Sequence, residues 1–284
     1  MKNKTPRFST KSLLAAAALA LIAVPAEAAT YTSLGGDFAP PGNGTDVSNF
    51  TLSTTESLEI NALVSDGYTD SNPFQLTGTI SATVADNVIR KTGDGVAILK
   101  GLNYLGGTVF VDAGGLGISA LNPLSYAKIT VADGATVTAF GVDIPTLGDV
   151  TLAGTFVSAS GTNTVGTLIL SDYATVMTDV GLGVTTLTLA QKTLTITGAG
   201  NLTVTTSNNA KDIIKSGTGT AALGTLTLGD NANFNIFTGA LTAGSLDLDT
   251  KSLIIGVDGA ANFTATSTDA DANINKSGTG TAAL

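Results

Sequence analysis

The sequence predicts an all-β chain folded as a right-handed parallel β-helix, a β-solenoid, with an irregular N-terminal cap. Three observations point there. Short segments alternate apolar and polar residues, Gly- and Asp-rich turns separate them, and two neighbouring stretches of similar length repeat each other.

Alternation is clearest in "TLTLA", where Leu187 and Leu189 point one way and Thr186 and Thr188 the other. "TLTIT" repeats this with Leu194 and Ile196, "NLTVTT" with Leu202 and Val204, and "SLDLD" with Leu246 and Leu248. Period two buries one side of a strand and wets the other. The separating Gly-Ala-Gly, Gly-Asp-Asn and Asp-Gly-Ala stretches supply positive φ and polar turn contacts. With 34 Gly, no Trp and only 5 Tyr, the composition favours short strands joined by tight turns.

The repeat decides between architectures. Gly166–Leu223 and Gly224–Leu284 both open with Gly-Thr-Leu-x-Leu and close with "KSGTGTAAL" (Lys215–Leu223 and Lys276–Leu284). A third relative, Ala127–Leu152, shows the same order of strand, turn, strand, turn, strand. Short strands also suit an antiparallel sandwich or a barrel, but neither needs self-similarity. A solenoid stacks like on like and displays it. Coils of about 20 residues place roughly three in each unit, within the range of solenoid repeats. Phe234 and Phe263, on alternating strands, are expected in the core.

Three regions follow. Residues 1–28 read as a secretory signal peptide, with Lys2, Lys4, Arg7 and Lys11 ahead of the apolar run Leu13–Val24 and cleavage expected after Ala28. That run is well short of the ~20 residues that span a membrane. Residues 29–87 are less regular. "GGDFAPPGNGTD" reads as loop, while "SLEINALVSD" and "FQLTGTISATVAD" read as strands, and the segment is expected to cap the solenoid edge. Residues 88–284 are expected to be the repeats, truncated at the C-terminus because the second "KSGTGTAAL" stops where the first continues.

"KTGDGVAILKGLNYLGGTVFVDAGGLGISALNPLSYAKITVADGATV" (Lys91–Val137) resembles the autotransporter-associated β-strand repeat. Lys91, Gly93 and Gly95 match its opening, and Gly101 and Asn103 its middle, with Tyr104 one position early. Gly107, Thr108, Val111 and Gly114 match its close, and "ITVADGATV" the strand-turn-strand that follows. Both "KSGTGTAAL" copies match the opening only. The resemblance implies the β-helical passenger region of a large surface protein, secreted or held at the cell surface of a Gram-negative-type bacterium. It also implies a possible outer-membrane barrel downstream.

Charge and chemistry narrow the function. Without Glu27 and the four basic residues of the leader, 21 carboxylates face 9 basic side chains, a net of −12. Such a chain lacks the basic footprint of a nucleic-acid binder and is repelled by anionic membranes, so neither nucleic acid nor membrane contact is expected. The absence of Cys and His removes their nucleophile systems and the usual zinc ligands. Asp247 and Asp249 share one side of a strand, as an acid–base or Ca²⁺ pair would. An outer solenoid face is polar in any case, and Lys251 stands nearby to balance them. Asp269, Asp271 and Asn273 alternate but lack the Gly and Glu of an EF-hand loop. "GTGT" lacks the Gly-Lys-Ser/Thr ending of a phosphate loop and reads as turn chemistry. No catalytic, cofactor-binding or metal residue is assigned. Lys91, Lys215 and Lys276 occupy equivalent repeat positions and read as structural markers. The expected function is an adhesin-like surface rod, not an enzyme, meeting other cell surfaces or extracellular polymers. A β-helical polysaccharide lyase or hydrolase is the alternative.

Overall fold

The computed structural model describes residues 29–32, 45–46, 50–52, 57–63, 69, 73–82, 85–101, 103–119, 128–140, 143–144, 149–248, 251–266 and 273–283. Residues 1–28, expected to be a signal peptide, lie outside the described residues, as do Asp249, Asp269, Asp271 and the side chain of Phe263. Within them the chain is all-β, without a helix, and its parallel strands stack as a β-solenoid of about nine turns.

Alternation produces the stack directly. Leu187, Leu189, Leu194, Ile196, Leu202, Val204, Leu246 and Leu248 are all buried, as is Phe234, while Thr186 and Thr188 reach solvent. Each inward residue rests on its counterpart one coil away. One such column runs through Ile89, Val109, Ile129, Val150, Leu168, Leu187, Ser207, Leu226 and Leu246, paired in parallel register throughout. The longest step in this column, Ile129 to Val150, barely exceeds the shortest, Val150 to Leu168, so coil length is nearly constant.

Each coil has three faces. Val88–Thr92, Thr108–Val111, Lys128–Val131 and Val150–Leu152 stack on the first. Val96–Leu99, Gly115–Ile118, Thr136–Phe140, Thr155–Ser160, Ala174–Thr178 and Thr193–Thr197 stack on the second. The third is short in the early coils and regular from residue 163 on, through pairs such as Leu182 with Leu202 and Leu202 with Ala221. In the later coils the corner from third to first face shrinks to one residue, Thr205 or Gly224. Strands therefore run unbroken around it, and Leu202–Lys215 and Thr220–Ile236 become the two longest strands of the chain.

The expected boundary at residue 88 marks a change of coil length within the stack. Ala29 pairs with Leu58 and Leu58 with Ile89, so these coils are wider than the later ones yet keep the same parallel register. Among them Ser57–Asn61, Phe74–Leu76 and Ile80–Ala82 show the same alternation, and the extra residues fall between strands, where a solenoid tolerates insertion.

One position of the column from Ile89 to Leu246 breaks the apolar rule. Ser207 sits between Leu187 and Leu226, fully buried, and its hydroxyl has no hydrogen-bond partner. The register shifts just beyond it, between Ser207 and Ala210, and Asn209 takes a positive φ of 53°. The coil absorbs an extra residue there, next to a packing fault that costs about 1–3 kcal/mol.

Parity gives a direct test. Leu187→Asp places a carboxylate between Leu168 and Ser207, its partners in the neighbouring coils, and should cost more than about 4 kcal/mol in urea denaturation. Thr188→Asp should stay within about 1 kcal/mol of the parent. Equal losses would mean that the two faces have been assigned wrongly.

Candidate functional site

Two kinds of polar group need an account: those buried at the corners and those outside on the faces. The corner from second to third face is lined internally by polar side chains. Asn103 is fully buried, accepts from the Ile80 amide at 2.9 Å and donates to the Gly101 carbonyl at 2.6 Å. Asn163 donates to Ser158 Oγ at 2.8 Å and to the Ser160 carbonyl at 3.0 Å. Thr178 donates to the carbonyls of Thr197 and Gly200 at 3.2 and 2.9 Å. These partners belong to the turns themselves or to the strands beside them, so these side chains close corners.

The lysines do the same. Lys91 Nζ donates to the carbonyls of Thr92, Gly93 and Ala113 at 2.7, 2.9 and 3.1 Å, the last one coil away. Lys215 Nζ reaches Ser216 and Gly217 at 2.9 and 2.8 Å, and Lys276 Nζ reaches Gly278 at 2.8 Å. Each ammonium gathers the carbonyls of the turn that follows it, which explains the Lys-x-Gly spacing. Glycine is required in that turn. Gly217 has φ +82°, and a Cβ on Gly219 would lie 1.8 Å from the Gly200 carbonyl oxygen.

Their equivalence in sequence does not extend to position in the coil. Lys91 ends a first-face strand and pairs with Val111, whereas Lys215 ends a second-face strand between Ile196 and Ile236. Lys276 lies on the second face level with Ile255, while Ile236 is level with Val257. The chain that follows differs accordingly. After Lys91 the second-face strand Val96–Leu99 comes before the third face. After Lys215 the chain enters the third face at once and reaches the first through Gly224 alone. One turn motif therefore serves two corners.

Outside, Asp247 is exposed and lies level with Thr227 and Thr266, and Asn273 is exposed on the second face. No three acidic side chains gather as a metal site among the described residues. On the first face Arg90 pairs with Asp112 and lies 4.6 Å over the Phe110 ring, a local outer cluster.

A groove of about 570 Å³ lies on the second face. It crosses four successive coils, through Ala174 and Thr175, then Thr193 and Thr195, then Asp212 and Ile214, then Asn233 and Asn235. Tyr173 stands beside it, 71% exposed, held at the preceding turn where its amide donates to Asp172 Oδ1 at 2.9 Å. Thr175, Thr195, Ile214 and Asn235 are register partners in one outward row. Asp212 Oδ1 accepts from the Asn233 amide at 3.2 Å and its Nδ2 at 3.1 Å, which fixes the carboxylate against the next coil. Asp212 is the one acid lining the groove among the described residues. The repeat of one coil held the signal for this row, but only the register shows which polar residues converge.

Comparison of the chain with family models, curated proteins and solved structures returns no match.

The Lys91 ammonium makes a pH prediction. Burial outweighs the attraction of Asp94 and lowers its pKa from 10.5 to about 8. The unfolded chain then binds this proton more tightly, so the group's cost to folding is fully present below about pH 8 and is relieved as pH rises toward 10.5. In buffered denaturation series, stability of the parent should rise relative to Lys91→Met across that window. At neutral pH Lys91→Met should still lose about 2 kcal/mol, because three carbonyls lose a charged donor. A pH-independent difference would contradict the placement of Lys91.

Proposed function

We propose that the chain is an adhesin-like structural rod, exported through a cleaved signal peptide and displayed at a cell surface as part of an autotransporter-type passenger. The observation that carries this reading is the use made of the buried polar groups. Lys91, Asn103, Asn163, Thr178 and Lys215 all spend hydrogen bonds on turn backbone. Groups of this kind, buried and cationic or amide-bearing, are what an active site would draw on, and here they hold coil corners. The periodic stack and the resemblance of Lys91–Val137 to the autotransporter-associated repeat support the same reading. A glycan-cleaving enzyme needs an acid and a base at one cleft. The groove on the second face offers Asp212 without a second carboxylate in its described lining, which favours the rod.

Export and inertness test the reading together. Expressed with its leader in a Gram-negative host, the product should carry Ala29 at its N-terminus by mass spectrometry. The purified chain should release no reducing ends from pectin or alginate. A membrane-bound product that retains Met1, or turnover abolished by Asp212→Asn, would contradict the proposal.

A further inference from the structure

We infer that the groove on the second face binds a neutral polysaccharide chain laid along the rod axis. This deepens the surface-rod reading by naming the partner, and rests on that reading for where the partner is met.

The groove joins an aromatic ring, an apolar floor and a row of hydroxyl, amide and carboxylate groups. The Tyr173 ring is 71% exposed beside it, the largest exposure among the bulky apolar side chains of the described residues. Ile214 is the one apolar member of the outward row Thr175, Thr195, Ile214 and Asn235, between Thr195 and Asn235. A ring at the mouth and an aliphatic side chain in the floor match the C–H faces of pyranose rings. Asp212 and Asn233 match the ring hydroxyls as acceptor and donor. Asp212 comes already oriented, because Oδ1 is held by Asn233, and Oδ2 takes no donor from the described residues.

Direction and charge settle the rest. Successive coils present these groups every 4.7–4.9 Å, so the four coils offer a polar ladder about 14 Å long that runs across the strands. A linear, repeating ligand fits such a ladder better than a compact one. The carboxylate at its centre, on an acidic chain, disfavours uronate or sulfated polymers at low salt. An uncharged glycan keeps the hydrogen bonds without the repulsion.

Affinity electrophoresis of the purified chain tests this, in native gels cast with mannan, hydroxyethylcellulose, xyloglucan or alginate. Mobility should fall in at least one neutral gel and not in alginate. Tyr173→Ala and Asp212→Ala should each weaken retention at least tenfold, and Tyr173→Phe should keep it. Both sites are on the outer surface, and unchanged circular dichroism and melting temperature would show that the variants are folded. As a second readout, the intrinsic tyrosine fluorescence of the parent should shift on adding the retaining glycan, and that of Tyr173→Ala should not. Absence of retention in all three neutral gels would overturn the inference, as would stronger retention by alginate or retention that Tyr173→Ala leaves unchanged. Those outcomes leave the rod reading standing. Release of reducing ends from a retaining gel would contradict the rod reading and leave the groove as a sugar site.

Discussion

Everything in this molecule depends on each coil matching the one beside it. A parallel ladder links every strand to its counterpart one coil away, so an inward side chain must fit on the one beneath it, and a turn must nest on a turn. The constraint explains why coil length varies so little from residue 89 to residue 246. It explains the glycines as well. At Gly219 a methyl group would meet the Gly200 carbonyl of the neighbouring coil, so the approach of one backbone to another excludes any side chain. Stability in such a stack is a sum over neighbouring coils, and no single closed core has to form first.

Corners are where this arrangement is hardest to satisfy. A strand bonds to its neighbours through its backbone, but a turn leaves carbonyls pointing inward where there is no water. Buried polar groups cost free energy unless they find partners. The chain meets this with side chains that donate: Lys91 and Lys215 with an ammonium, Asn103 and Asn163 with an amide, Thr178 with a hydroxyl. A lysine provides three donors from one inward position, which suits a turn whose carbonyls converge. Its burial lowers its pKa, so the device works against its own desolvation, and at Lys91 the charge of Asp94 offsets part of that cost. Ser207 shows the same rule failing locally, with a hydroxyl inside the stack and no acceptor in reach.

Much of this was legible in the sequence. Parity alone places Leu187 inside and Thr188 outside, and repetition selects the solenoid over a sandwich. The structural role read for Lys91, Lys215 and Lys276 follows from their equivalent positions in the repeat. Their faces do not, because the face a motif lands on depends on the lengths of all the loops before it. Stacking of Ala29–Thr32 on Ser57–Asn61 was hidden for a similar reason, since wide coils blur the repeat. The groove beside Tyr173 was the least legible feature. Its parts lie in four coils, and an isolated Tyr in a turn looks the same whether it borders a groove or open solvent.

The claim that turns nest as tightly as strands pair is open to native-state hydrogen exchange read peptide by peptide. In a solenoid the turn amides are bonded across coils, as Gly200 is to the Thr178 carbonyl at 2.6 Å and Gly219 to Gly198 at 3.3 Å. Peptides covering residues 198–200 and 217–219 should therefore exchange slowly, with protection close to that of the flanking strands. Fast exchange confined to those turns, with protected strands between them, is the pattern of hairpin connections and would contradict the stacked-coil account.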